Sequence, residues 1–156
     1  KTINELGEEY GLPIILSTHP RTQKHIDEKN ISFNSNIKSI KPLGFIDYIQ
    51  LQINAKVVFS DSGTITEESS ILNFPALNIR ETQERHEGVE ESSVMMVDLD
   101  IKKIITALKI LNTQIKNKER IINIVNDYNL KNVSEKILRI IHSHTDYINR
   151  KVWKKF

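Results

Sequence analysis

No cysteine occurs among the 156 residues, which excludes a disulfide framework and thiolate chemistry. A surplus of one charge is also lacking. Lys plus Arg number 22 against 20 Asp plus Glu, a formal charge of +2, so the balance points neither to nucleic acid nor to a strongly acidic partner. No apolar run approaches the roughly 20 residues a membrane-spanning helix needs, and no membrane span is expected. A signal-peptide pattern is missing as well. With no cysteine to oxidise, a reducing compartment fits, and a cytoplasmic location is the expectation. His25, His86, His142 and His144 show no metal-ligand arrangement, and neither a zinc spacing nor a nucleophile elbow is present. What remains is an ordinary globular mix, 38% hydrophobic and 27% charged, long enough for one domain with a sizeable core.

The pattern along the chain alternates. Ile3, Leu6 and Tyr10 share one helix face, which the Gly11-Leu12-Pro13 turn ends. Short apolar runs at Pro13–Ser17, Ile37–Leu43, Lys56–Ser60, Ala76–Ile79 and Val94–Val97 predict strands, the first with the look of one buried on both faces. Helices are predicted between them, over Thr22–Lys29, Phe45–Ile53 and Thr64–Leu72, with a helical turn at Val89–Ser93. Further helices are predicted at about Ile101–Leu111, Lys118–Tyr128 and Val133–Val152. Strands separated by helices imply an α/β fold, a Rossmann-like parallel sheet with helices on both faces. Right-handed crossovers would then bring the loops around His19, Gly44, Ser62, Arg80–Arg85 and Asp98 to one sheet edge, where ligands of such sheets bind.

At that edge, Phe59 to Glu68 reads as a strand end, a tight turn and a helix start. A glycine allows close backbone approach, and a helix N-terminus offers free N–H groups and partial positive charge, which favours phosphate. Ser62 and Thr64 add hydroxyls. The same residues also read as a capping box, Thr64-Ile65-Thr66-Glu67, in which the glutamate serves its own helix. One glutamate can cap, and Glu68 then needs another task, such as ribose hydroxyls. The loop Arg80-Glu81-Thr82-Gln83-Glu84-Arg85-His86-Glu87-Gly88 offers two arginines suited to phosphate, or two arginines paired with their own glutamates. Phe45 and Tyr48 are placed to stack on a base, or to pack their helix on the sheet.

Three blocks together, Asp61–Glu68, Asn73-Phe74-Pro75-Ala76-Leu77 and Glu84-Arg85-x-Glu87-Gly88, resemble the C-terminal half of the non-hydrolysing UDP-N-acetylglucosamine 2-epimerase family. That family usually shows Asp-Ser-Gly-Gly, Glu-Glu, a Pro-Val-Leu strand and Glu-Arg-Pro-Glu. Thr64 in place of the second glycine, the run Glu68–Pro75 and the ending Asp146–Lys155 resemble its UDP-2-acetamido-2,6-dideoxy-L-talose 2-epimerase branch, which makes UDP-N-acetyl-L-fucosamine for capsule and O-antigen. His86 departs from the family's proline.

The resemblance implies the UDP-binding C-terminal half of a GT-B-type two-domain enzyme, homodimeric when full length, acting on UDP and a UDP-N-acetylhexosamine without a cofactor. It places Ser62, Gly63 and Thr64 on the diphosphate, Glu68 on the ribose hydroxyls, Tyr48 against uracil beside the backbone of Leu43, and Arg85 on the nucleotide sugar. His19 and Arg21 fall on a neighbouring cleft loop. The family's Thr-x-His-Arg block and its acidic catalytic residues are expected in sequence before Lys1, with the first strand and an N-terminal domain. No catalytic residue is therefore assigned here, the isolated chain is expected to be inactive, and the helix over 133–156 is expected to cross back to that domain. A GT-B glycosyltransferase domain, or a non-catalytic α/β module in which Asp61 and the glutamates are only caps, are the alternatives.

Overall fold

Each short apolar run becomes a strand that ends where polar residues follow, and the stretches between runs become helices. The computed structural model describes residues 1–80, 82, 84–116 and 119–155. Its elements are α1 (Thr2–Tyr10), β1 (Ile14–Ser17), α2 (Pro20–Glu28), β2 (Ile37–Ile40), α3 (Phe45–Asn54), β3 (Val58–Ser60), α4 (Thr64–Leu72), β4 (Ala76–Ile79), α5 (His86–Glu90), β5 (Met95–Val97), α6 (Ile101–Leu111) and α7 (Val133–Lys151), with a 3₁₀ turn at Asn126–Asn129. Contacts divide the chain into two compact units, Lys1–Val125 and Asn126–Phe156.

In the first unit all strand pairs are parallel, as the alternating pattern predicts. Among the described residues they form two ladders, β1-β2 and β3-β4-β5. Ile14 pairs with Ile37, Val58 with Ala76, and Leu77 with Met95. No described pairing joins β1 to β3. One core nevertheless serves both ladders. Leu6 and Tyr10 of α1, Ile14 of β1, Phe59 of β3 and Leu77 of β4 pack with Ile104, Ala107, Leu108 and Leu111 of α6. Alternation along β4 sends Ala76 to the other face, where it meets Ile65 of α4, Phe74 and Val94. Helices therefore cover both faces of the β3-β4-β5 ladder.

Two sequence expectations are corrected. The charged loop is shorter than predicted, since α5 begins at His86. The helix expected over Lys118–Tyr128 does not form over the described part of that stretch; Lys118 itself lies outside the described residues. The backbone and side chains there are committed sideways instead of to i−4 carbonyls. Asn73, left-handed at φ 55, caps α4 and donates from Nδ2 to the carbonyls of Ile115 and Glu119. Arg120 donates to the carbonyls of Ser70 and Ile71, and the Val125 N–H donates to Ser70 Oγ.

The second unit is the 3₁₀ turn and α7. No residue of α7 is buried. Val133, Ile137, Leu138, Ile140 and Ile141 are all exposed. Among the described residues no helix is long and apolar enough to cross a membrane.

Candidate functional site

The strand ends of β3 and β4 and the start of α3 deliver the side chains of the site. Gly63 is the N-cap of α4 and has no side chain to cap it, and the neighbouring Ser62 Oγ accepts from the Thr64 N–H at 3.4 Å. The Ser62 and Thr64 hydroxyls are exposed and lie 3.0 Å apart, bonded to each other. Glu67 does not turn back to its own helix start. Its Oε1 lies 2.6 Å from Arg85 Nε. The capping box in which Glu67 serves its own helix is thus set aside. The first N–H groups of α4 make long bonds within the turn, Thr64 N–H to Ser62 Oγ at 3.4 Å, Ile65 N–H to the Ser62 carbonyl at 3.4 Å and Thr66 N–H to the Gly63 carbonyl at 3.3 Å, and the helix start keeps its partial positive charge.

Arg85 comes to this turn from the loop before α5. A Cβ built on Gly63 would stand 3.3 Å from Glu84 Oε2, 3.7 Å from Arg85 Nη2 and 3.8 Å from its Cζ. The glycine therefore lets the loop close on α4, and a larger side chain would push it away. Both loop arginines stand at ion-pair distance from glutamates. Arg80 Nη1 stays within the loop, 3.2 Å from Glu84 Oε2, at ion-pair distance although not aligned as a hydrogen bond. Arg85 reaches Glu67 of α4.

Glu68 faces the opposite way, toward α3. It accepts a hydrogen bond from Gln52 Nε2. Gln52 is 2% exposed and stands one turn after Tyr48 on the same face of α3. Burial, and then the Glu68 carboxylate, push the Tyr48 hydroxyl above its ordinary pKa, while the Gln52 side chain pulls it down. The phenol stays neutral and able to donate. Gln52 Oε1 is buried and has no hydrogen-bond partner. Phe45, 77% exposed, neither packs the helix nor joins this group.

An anion would meet the α4 N-terminus, two hydroxyls and a guanidinium. A sugar or an aromatic ring beside it would meet a carboxylate and a phenol. A family model for UDP-N-acetylglucosamine 2-epimerase matches residues 1–142. The chain belongs to this epimerase family. A UDP-N-acetylglucosamine 2-epimerase of Methanocaldococcus jannaschii is 36% identical over 143 residues, 89% of this chain and 37% of the relative. A solved UDP-N-acetylglucosamine 2-epimerase from Rickettsia bellii superposes with a TM-score of 0.86 at 44% identity, over 99% of this chain and 42% of that one. The M. jannaschii epimerase in complex with UDP-GlcNAc and UDP superposes at 0.78 with 32% identity, over 91% and 39%. The chain thus spans about two-fifths of the length of these epimerases.

The α/β fold read from the sequence matches that of these epimerases. The described contacts unite Gly63, Glu84 and Arg85, with Glu67 as the link, and separately unite Tyr48, Gln52 and Glu68. Other sequence-predicted positions are used locally. His19 caps α2, its Nδ1 accepting from the Arg21 N–H. Leu43 is an exposed residue of the loop before α3. Asp98 pairs with Lys103 at 2.6 Å, which holds its carboxyl below the usual range. A shallow groove between β5 and α6, past Met96 and Ile110, does not reach Ser62, Glu68 or Tyr48. Gln52 was missed by sequence reasoning; its i+4 spacing from Tyr48 was the available signal.

Proposed function

We propose that the Lys1–Val125 unit holds UDP in a UDP-N-acetylhexosamine 2-epimerase. The observation that carries this reading is the meeting of Arg85 with the Ser62-Gly63-Thr64 turn at the start of α4, while Glu68 stands beside Tyr48 one turn further along α4. Ser62, Gly63, Thr64 and Arg85 take the diphosphate, Glu68 accepts from the ribose hydroxyls, and uracil lies against Tyr48 beside Leu43. His19 and Arg21 line the neighbouring cleft.

In the reaction proposed for the whole protein, a base removes the C2 proton as the C1–O bond breaks and UDP departs with the bonding pair. The glycal-type intermediate is reprotonated at C2 from the other face, and UDP adds back at C1. This unit keeps UDP bound while it is detached. Donors already aimed at the diphosphate stabilise its extra charge without transferring protons. The acid and base then lie outside this chain. Thr64, the run Glu68–Pro75 and the ending Asp146–Lys155 support the finer placement in the talose branch.

Isothermal titration of the chain with UDP tests the binding role: saturable one-to-one binding is expected, and no heat at millimolar UDP would refute it. Adding either UDP-N-acetylglucosamine or UDP-2-acetamido-2,6-dideoxy-L-talose to the full-length enzyme tests the branch. Faster turnover of the first would place it elsewhere in the family.

We also propose that a strand and an N-terminal domain precede α1, in a cytoplasmic, homodimeric whole. Support comes from the unpaired outer edges of β1 and β3 over one shared core, and from Ile15, 47% exposed in the middle of β1. A right-handed crossover through α1 would lay such a strand beside β1. The exposed apolar side chains of α7 suit a return to that domain. Hydrogen exchange compares this chain with the longer protein. The amides of Ile15, Phe59 and α7 are expected to exchange at least tenfold more slowly in the longer one, as pairing and burial protect amides. Equal rates would exclude the arrangement.

A further inference from the structure

Glu67 and Glu68 are neighbours in sequence but serve different elements. Glu68 is tied to α3 through Gln52, and Glu67 to the loop before α5 through Arg85. The second tie has a direction. Glu67 takes the Nε edge of the guanidinium, at 2.6 Å, while Nη2 and Cζ come within 3.7 and 3.8 Å of the position of a Gly63 Cβ, next after Glu84 Oε2 at 3.3 Å. The far end of Arg85 therefore lies against the first turn of α4. The Arg85 carbonyl in turn accepts from the N–H groups of Gly88 and Val89, so its backbone starts α5.

A carboxylate beside a diphosphate site is unfavourable by simple Coulomb repulsion. It is compensated when it fixes a group that gains more from the anion than the carboxylate loses. An arginine side chain has many rotamers, and a bond to Nε removes most of them while leaving the terminal amino groups on the ligand side. We propose that Glu67 is a positioning residue: it holds Arg85 by Nε so that the terminal amino groups of the guanidinium face the Ser62–Thr64 turn and the diphosphate bound there. The inference rests on the UDP reading above and deepens it.

The two possible roles of Glu67 differ in sign. As a plain surface ion pair, its removal relieves repulsion and tightens UDP. As a positioning residue, its removal weakens UDP. Titration calorimetry of the 156-residue chain with UDP and with uridine, on wild type, Glu67→Gln, Arg85→Ala and the double variant, separates them. Glu67→Gln keeps the shape and an acceptor oxygen but loses the charge. It is expected to weaken UDP about fivefold to tenfold, within the coupling range of contacting charged groups, and to leave uridine unchanged. In the Arg85→Ala background it should have no further effect. Unchanged or tighter UDP binding, an equal loss for uridine, or a loss that persists without Arg85 each overturns the positioning role. If wild type binds no UDP, the binding reading falls and this one with it. If Arg85→Ala weakens UDP and Glu67→Gln does not, only the positioning role falls.

Discussion

Phe74→Ala is expected to lower the stability of the Lys1–Val125 unit by about 3–5 kcal/mol, the usual cost of emptying a buried aromatic site. Phe74 is 0% exposed and packs with Ile65, Ala76 and Val94 between α4 and β4. Its surroundings are held in place on both sides. Asn73 is fixed in the left-handed cap of α4, Pro75 restricts the backbone after it, and the Phe74 carbonyl accepts from Ser69 Oγ at 2.7 Å. The cavity therefore has little freedom to collapse. Against a typical domain stability of about 5–15 kcal/mol, a loss of that size removes much of the margin. Urea unfolding read from the amide signals of Leu77 and Ile79 in β4 measures it. A loss below about 1 kcal/mol would mean that the two faces of β4 are not packed as described.

Glu68→Ala is expected to weaken UDP about tenfold to a hundredfold, the loss of one or two hydrogen bonds to a charged acceptor. Two terms add. The ribose hydroxyls lose their carboxylate, and Gln52, already buried with Oε1 unpartnered, loses the acceptor of its Nε2 as well. The second term costs stability with or without ligand. The first is isolated by titrating 2′,3′-dideoxy-UDP. Wild type should bind it more weakly than UDP by the same factor, and the variant should bind the two alike. If wild type does not distinguish the two nucleotides, Glu68 does not read the ribose.

The sequence was most legible where one local pattern decides the outcome. The run Ala76–Ile79, fenced by Pro75 and Arg80, could only be a short buried strand, and it is the centre of its ladder. The Asp61–Glu68 turn was legible as to place but not as to wiring. A capping box and an anion site ask for the same residues, and only the path of the loop that brings Arg85 to Glu67 separates them. Non-local partners explain the other misses. Nothing near Lys118–Tyr128 reveals that Arg120 and the Val125 N–H are spent on the end of α4. Nothing near β1 or β3 tells which strand lies beside which, since parallel neighbours are distant in the chain. Gln52 looked like one more polar residue on a helix until its burial was known.

The bare surface of α7 has an optical consequence. A helix with no buried residue rests on its own backbone bonds and on local pairs such as Glu135–Arg139, so it frays gradually on heating instead of melting at one temperature. The chain's one tryptophan, Trp153, follows this helix, is 61% exposed and has Lys155 Nζ 4.7 Å from its ring centre. Indole fluorescence therefore reports on the tail. Far-ultraviolet ellipticity adds both units together. Melting curves recorded by the two signals will not superimpose, since one follows the tail and the other sums both units.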